Sequence, residues 1–214
     1  MKKQVTPPKY IAIDGPIGSG KTTLVKRLAE ELQGTPVLEP VEDNPFLNTF
    51  YKDRKGVAFK TQLFFLLNRH QQQAELQRSE FVRFPLVCDY TLGKDQVFTK
   101  INLDEKEQEL YQRVRSLLSD QLPKPDIVVY LRAKADVLLK RIKSRGFEFE
   151  KPITEKYVAD LMDAYNDFFL NYNETPLLIV DTTHTDFLLH HDQYEILKKD
   201  ILNHRQGSKN LVLR

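Results

Sequence analysis

The chain has 214 residues, 41% of them hydrophobic and 29% charged, which is the composition of an ordinary globular domain with one core. The 32 basic and 30 acidic residues leave a net charge of only +2, which argues against a broad nucleic-acid-binding face. No apolar run approaches the ~20 residues of a membrane span, and no apolar stretch follows the charged N-terminus as in a signal peptide. We therefore expect a single cytoplasmic domain over residues 1–214, with neither nucleic acid nor a membrane as partner.

The first predicted element is a phosphate-binding loop. The stretch "IDGPIGSGKTTL" fits the pattern G-x-x-x-x-G-K-[ST], in which backbone N–H groups turn toward phosphate oxygens. A β-prone run at 9–14 precedes the loop and a helical pattern at 21–32 follows it, so the positive end of a helix would face the phosphates. Lys21 is expected to reach the outer phosphates, and the Thr22 hydroxyl to take one place on Mg²⁺. The residues predicted to bind ATP are Gly15, Pro16, Ile17, Gly18, Ser19, Gly20, Lys21, Thr22 and Thr23.

The rest of the chain alternates between short β-prone runs and helical patterns. The further β-prone runs lie at 35–40, 84–89, 126–131 and 176–181. This alternation predicts an α/β fold, a five-stranded parallel sheet with helices on both faces. The core is expected at about 9–203. Residues 204–214, which contain "RQGSKNLVLR", are expected to form a loose tail.

Two acidic residues stand where predicted strands end. Glu39 follows the second β-prone run and Asp89 closes the third. Ligands of open parallel sheets bind beyond the carboxyl ends of the strands, so both carboxylates are expected near the phosphates. There a carboxylate can accept a hydroxyl proton or hold Mg²⁺. The alternative is that either acid only caps a helix or faces water.

Two helices are predicted between the second and third strands. Asn44 and Pro45 predict the N-cap and first turn of a helix near 45–52. In the strongly apolar segment 57–73, Gln62 and Arg69 fall on the same line in the middle of the apolar face. A buried guanidinium needs an acceptor opposite it, and a buried amide can hydrogen-bond a nucleobase edge. Periodicity alone leaves open whether the pair reads a base or belongs to a structural polar network.

A later helical pattern ends in two arginines. Arg141 and Arg145 are four residues apart and precede Gly146, so they share a helix face near its end. Such a pair can close over phosphates during phosphoryl transfer, or it can belong to a solvated basic face.

Taken in order, these segments resemble the deoxynucleoside kinase family, in particular its bacterial deoxyadenosine/deoxyguanosine kinase branch. The most specific segments are "EPVEDNPFLNTFY", "AFKTQLFFLLNR", "PLVCDYTLGKDQVF" and "RIKSRGFEFEKPI". The resemblance covers nearly the whole chain. It implies a P-loop kinase fold with a short arginine-bearing lid, a homodimer, and transfer of the γ-phosphate of ATP, with Mg²⁺, to a nucleoside 5′-hydroxyl. Deoxyadenosine ranks first as acceptor, with deoxyguanosine or deoxycytidine next.

The resemblance also implies roles for individual residues. Glu39 is similar to the base that takes the 5′-hydroxyl proton, and Tyr51 and Glu150 to the pair that holds the 3′-hydroxyl. Gln62 resembles the glutamine that reads the base edge. Arg69 and Asp95 resemble the ion pair beside the base, and Asp89 resembles the strand-end acid. Arg141 and Arg145 resemble the lid arginines.

Two positions depart from the family pattern. Tyr90 stands where the family carries an arginine after the strand-end acid, and Phe147 stands where many relatives carry another lid arginine. The charge of the transferring phosphate is then expected to rest on Lys21, Mg²⁺, Arg141 and Arg145.

Other readings give different functions. A nucleoside monophosphate kinase of the thymidylate kinase type shares the loop and sheet, but it would need basic residues where "PVEDNPF" is acidic. A non-catalytic nucleotide-binding switch is a second alternative. "DRKG" at 53–56 matches D-x-x-G, but no N-K-x-D sequence follows.

Overall fold

The computed structural model describes residues 7–79, 82–118, 123–185 and 190–213. Within these ranges one parallel sheet holds six strands in the order β2-β3-β1-β4-β5-β6. The strands are β1 (Tyr10–Asp14), β2 (Thr35–Val37), β3 (Leu86–Cys88), β4 (Ile127–Arg132), β5 (Leu177–Asp181) and β6 (Ser208–Leu211). The predicted parallel α/β architecture is confirmed, with one strand more than expected.

The helices fill the connections between parallel strands, as such sheets require. They are α1 (Lys21–Glu31), α2 (Leu47–Phe50), α3 (Arg54–Arg78), α4 (Lys94–Asn102), α5 (Glu105–Leu118), α6 (Ala135–Arg145), α7 (Glu155–Leu170) and α8 (His191–Asn203). Single 3₁₀ turns lie at Val41–Asp43 and Glu148–Glu150. No helix among the described residues is long and apolar enough to cross a membrane.

The sheet is buried on both faces because side chains alternate along each strand. Ile11 and Ile13 of β1 pack with α1 and α8 in one core cluster. Tyr10 and Ala12, on the opposite face, pack with α4 and α7 in a second cluster. A third cluster joins α2, α3 and α6 around Phe50, beside the carboxyl ends of the strands.

The predicted tail forms an edge strand instead. β6 pairs in parallel with β5, with Leu177 opposite Ser208 and Val180 opposite Leu211. Beyond the strand, Leu213 is only 8% exposed and packs into the core. The expectation of a loose tail was wrong because "SKNL" is an exposed polar edge strand without apolar alternation. Arg214 lies outside the described residues.

The predicted helix at 45–52 is much shorter in the structure. Asn44 is followed by only one regular turn, Leu47–Phe50, whose N-cap is Phe46. The Asn44 side chain accepts from the Phe46 backbone N–H at 3.0 Å and donates to the Thr61 carbonyl at 3.2 Å. It therefore ties this connection to α3, whose packing overrides the local capping signal.

The D-x-x-G match is the start of a helix. Asp53 is the N-cap of α3, and its carboxylate accepts from the Gly56 N–H at 3.4 Å. A capping role accounts for this spacing, so "DRKG" gives no support to the switch reading.

Candidate active site

Two different constraints favour glycine in the loop between β1 and α1: close neighbours at Gly15 and a positive φ at Gly20. Gly15 has a φ of 149°, and a Cβ there would lie 2.2 Å from the Leu131 carbonyl oxygen. Gly20 has a φ of 95° and forms the N-cap of α1. The loop therefore opens its backbone N–H groups toward the space in front of the helix.

Lys21 folds back over this loop. Its Nζ donates to the carbonyls of Gly15 and Pro16 at 2.9 and 3.0 Å. Burial, and next the charge of Lys94, lower the pKa of Lys21 to about 8. An ammonium group under these conditions is ready to exchange carbonyl oxygens for more strongly charged phosphate oxygens.

Other loop residues divide between the phosphate side and the interior. Thr22 is exposed at the first turn of α1, while Ile17 lines a neighbouring cavity. Ser19 is buried, and its Oγ has no hydrogen-bond partner within the described ranges. The predicted ATP-binding segment, from Gly15 to Thr23, is thus a continuous loop and helix start.

The two strand-end acids meet at the loop, as their positions predicted. The Thr22 Oγ1 donates to Asp89 Oδ2 at 2.9 Å, and the Glu39 backbone N–H donates to Asp89 Oδ1 at 2.8 Å. Burial raises the pKa of Asp89, and the charge of Lys94 opposes that effect. A hydroxyl and a carboxylate side by side are hard oxygen donors of the kind Mg²⁺ takes, so these residues fit the metal that the sequence implies.

Two cations hold the Glu39 carboxylate. The Arg69 Nε donates to Oε1 at 2.6 Å, and the Lys94 Nζ lies 2.5 Å from Oε2. Burial alone would raise the pKa of Glu39, but the charges of Arg69 and Lys94 outweigh it and hold the pKa at about 2. Glu39 is therefore ionised, and able to accept a proton, throughout the neutral range.

The buried polar residues of α3 face the same cavity. Gln62 and Arg69 are each 2% exposed, so their predicted burial on the apolar face is confirmed. Arg69 is paired with both Glu39 and Asp95, which supplies the acceptors its burial requires. Asp95 Oδ2 has no hydrogen-bond partner in the described part of the chain.

The cavity is bounded by residues from α2, α3 and α4 and by the segment after β2. The lining side chains include Glu39, Tyr51, Gln62, Arg69 and Lys94. Across the described ranges the Gln62 side-chain amide makes no hydrogen bond, although its backbone carbonyl accepts one from the Tyr111 hydroxyl. A carboxylate, an amide and two cations thus surround a space walled by Phe and Leu side chains.

Tyr51 lines this cavity, and Glu150 lies close enough to Tyr51 to act on it electrostatically. Burial raises the pKa of Tyr51, and the charges of Tyr157 and Glu150 raise it further. Glu150 is 6% exposed and accepts from the Arg145 Nε at 3.2 Å. The structure therefore brings Tyr51 and Glu150 within electrostatic reach of each other, although they are 99 positions apart in sequence.

The two predicted lid arginines have separate partners. Arg141 donates to the Thr182 Oγ1, the Thr182 carbonyl and the Thr185 carbonyl at 3.2, 2.7 and 3.0 Å, on the loop after β5. Arg145 pairs with Glu150, and its guanidinium lies 4.9 Å from the Phe147 ring centroid. The hydrogen bonds among the described residues take Arg141 to the loop after β5 and Arg145 to Glu150, although the two arginines share a helix face.

Sequence reasoning missed Lys94. This lysine is the first residue of α4 and is only 8% exposed. The sequence around it, including Gly93, contains no motif that predicts a buried cation. Tyr90, by contrast, is fully buried; its hydroxyl donates to Gln72 at 2.6 Å and accepts from Gln73 at 3.1 Å. Tyr90 is therefore part of the interior, and the cation beside Glu39 comes from four residues further on.

These parts define a class of protein. A glycine-rich loop with a hydroxyl–carboxylate pair stands beside a cavity lined by an ionised carboxylate and a buried amide, which is the layout of a P-loop kinase with a small acceptor. Residues 11–205 match the sequence model of the deoxynucleoside kinase family, and the chain belongs to this family of ATP-dependent phosphotransferases.

Individual relatives agree with that assignment. The chain is 35% identical over 192 residues to the deoxyguanosine kinase of Bacillus subtilis, covering 87% of this chain and 92% of the relative. It is 32% identical over 208 residues to the deoxyadenosine kinase of Lactobacillus acidophilus, covering 89% and 94%. A solved structure of deoxyadenosine kinase from M. mycoides with bound dCTP is similar at a TM-score of 0.78 and 30% identity, covering 90% of this chain and 98% of that one. The family and the P-loop kinase fold expected from the sequence are confirmed.

Proposed function

We propose that this chain transfers the γ-phosphoryl group of ATP to the 5′-hydroxyl of a deoxyribonucleoside, with deoxyadenosine first and deoxyguanosine or deoxycytidine next. One observation carries the proposal. The Glu39 side chain lines the cavity while its backbone N–H binds Asp89, which in turn binds Thr22 of the phosphate loop. Proton acceptor and phosphate site are thus joined by two hydrogen bonds.

The proposed reaction balances on these groups. The nucleoside 5′-oxygen attacks the γ-phosphorus, the bond from that phosphorus to the β,γ-bridging oxygen breaks, and ADP leaves. The 5′-hydroxyl proton goes to Glu39, which starts ionised. The Lys21 ammonium would contact the outer phosphates during the transfer. Mg²⁺ would be held by Thr22 and Asp89 and would neutralise charge on the phosphates.

Sugar and base contacts follow from the cavity. Tyr51 and Glu150 would hold the 3′-hydroxyl, and Gln62 would read the base edge with one acceptor and two donors on its amide. Asp95 Oδ2, which completes no hydrogen bond within the described ranges, is suited to accept from an exocyclic amino group. Adenine and cytosine offer a ring nitrogen beside an amino group, whereas thymine offers a carbonyl beside a ring N–H. This pattern supports deoxyadenosine over thymidine.

The setting of the enzyme is part of the same proposal. The family resemblance supports a homodimer acting in the cytoplasm, and the near-neutral charge supports function without nucleic acid or a membrane. Sedimentation of the purified chain would report its mass in solution, and a monomer at assay concentration would refute the dimer.

A substrate panel tests the proposal. The purified chain is incubated with Mg-ATP and each of deoxyadenosine, deoxyguanosine, deoxycytidine, thymidine and their 5′-monophosphates, and the products are resolved chromatographically. We expect nucleoside 5′-monophosphates and ADP, with deoxyadenosine the best acceptor and thymidine the poorest. Transfer to monophosphates alone would indicate a kinase of the thymidylate kinase type instead. ATP hydrolysis with no phosphorylated nucleoside would refute the proposed function.

A further inference from the structure

Lys94 is a buried cation at the border between the nucleoside cavity and the phosphate loop. It is 8% exposed, although it is the first residue of α4, where lysines are usually solvated. Its ammonium lies 2.5 Å from Glu39 Oε2 and 5.6 Å from the Phe98 ring centroid, and it lines the same cavity as Glu39. A buried lysine that is paired with a carboxylate in this way contributes its positive charge to the site.

The charge of Lys94 acts on both sides of that border. After burial, it is the main influence that lowers the pKa of Lys21, and it is the main influence that opposes burial at Asp89. It also depresses the pKa of Glu39, together with Arg69. Its contact with Glu39, whose backbone N–H binds Asp89 and through it Thr22 of the loop, places the ammonium close to where a γ-phosphoryl group would pass between loop and acceptor.

A cation fixed on a catalytic base is costly unless it has a second task. Lys94 lowers the basicity of Glu39, which by itself would weaken proton abstraction. When Glu39 takes the 5′-hydroxyl proton, however, its negative charge disappears and Lys94 loses its partner in a buried site. The incoming phosphoryl group brings negative oxygens to that point at the same moment, so the ammonium gains a new partner in the transition state that it lacks in the ground state.

We propose that Lys94 is a catalytic residue that changes partner, from the Glu39 carboxylate to a non-bridging oxygen of the phosphoryl group in transfer. The lysine keeps its three protons and acts as neither acid nor base. The bonds and the proton move as in the proposed reaction, on which this inference rests. It also accounts for the departure at Tyr90: the positive charge beside the reacting phosphate is supplied by Lys94, since Arg141 and Arg145 are bound elsewhere.

Steady-state kinetics of three variants tests the inference. Lys94→Gln should lower kcat about 10²–10³-fold, as removal of one preorganised transition-state donor does, with a much smaller change in nucleoside KM. Lys94→Arg keeps the charge and should stay within about tenfold of the parent. The matched control is Lys100→Gln on the same helix, whose 61% exposed side chain pairs with Asp167, and it should leave kcat unchanged.

A static counterion gives a different pattern. If Lys94 only neutralised Glu39, its removal would free a stronger base, and Lys94→Gln would match or exceed the parent kcat; that result overturns the inference. The pH profile adds a second readout, because losing this charge should move the acid limb of kcat/KM for the nucleoside to higher pH. Among the described residues, the charged or titratable groups around Glu39 that remain are Arg69, Asp89, Asp95, Lys21, Tyr51, Tyr90 and Tyr165. An acid limb that moves without a fall in kcat again means a counterion.

Folding and function failures are separable. Thermal melts of each variant show whether it folds, and if Lys94→Gln does not, Lys94→Arg decides: a folded arginine variant that loses 10²-fold or more in kcat contradicts the inference. A parent enzyme that phosphorylates no nucleoside in the panel would instead refute the proposed function. A working parent with an equally active Lys94→Gln refutes only the role of Lys94.

Discussion

At the scale of single residues, neighbours decide the charge state of each group in the site. Glu39 keeps its charge because Arg69 and Lys94 outweigh the effect of burial, whereas burial dominates at Asp89 and Asp95 and raises the pKa of both. The depressed pKa of Glu39 stabilises the fold above the unfolded-state value of about 4.5, and that contribution is lost as pH falls toward 2. Protonation of Glu39 should therefore destabilise the fold only at acidic pH, well below the neutral range.

Lys21 gives the first prediction. Its pKa of about 8 means that the free enzyme loses this positive charge as pH rises above 8, whereas an ordinary lysine has a pKa of 10.5. We expect kcat/KM for ATP, which reports the free enzyme, to fall above about pH 8, while kcat at saturating ATP holds to higher pH because bound phosphates keep Lys21 protonated. Measured pH profiles of both constants decide it, and a kcat/KM that stays level to about pH 10 contradicts it.

Gln62 gives the second. Gln62→Leu leaves the Arg69–Asp95 pair in place but removes the amide, so the preference for deoxyadenosine over thymidine should fall about 30-fold, since two hydrogen bonds of roughly 1 kcal/mol each are lost. The control is Gln71→Leu, which alters an exposed glutamine of the same helix that binds Glu75. The measurement is the ratio of kcat/KM for the two nucleosides. An unchanged ratio would mean that Gln62 does not read the base.

At the scale of elements, the sequence predicted those whose signal is local. The phosphate loop follows from its motif, and the burial of Gln62 and Arg69 follows from the helical period of α3. The short α2 and the edge strand β6 did not follow, because tertiary contacts decide both. Asn44 is drawn to Thr61 of α3, and β6 is a polar segment that becomes a strand only beside β5.

The edge strand gives the third prediction. Leu213 is 8% exposed and packs with the core beyond β6, so Leu213→Ala should lower the free energy of unfolding by about 2–3 kcal/mol. The neighbouring Val212 is 68% exposed, and Val212→Ala should change it by less than about 0.5 kcal/mol. Denaturant titrations of the two variants provide the test. Equal, small effects would show that this segment does not hold the sheet edge.

At the scale of the whole molecule, the site is assembled from segments far apart in the chain. The carboxyl ends of β1, β2 and β3 bring the loop, Glu39 and Asp89 together, a convergence that the parallel topology allowed the sequence to predict. The sequence did not predict which cation would reach Glu39. The direction of Lys94 depends on how the connection after β3 turns into α4, and the separation of Arg141 from Arg145 depends on the loop after β5.

The central claim is that Glu39 joins two binding sites into one reaction, and Glu39→Gln tests it most directly. The amide keeps the shape but cannot accept the proton, so kcat with deoxyadenosine and Mg-ATP should fall about 10²–10⁴-fold while the dissociation constants of both substrates, measured separately by calorimetry, change only a few-fold. A variant that binds both substrates and turns over at nearly the parent rate would contradict the account and shift the proton-accepting role to Asp89.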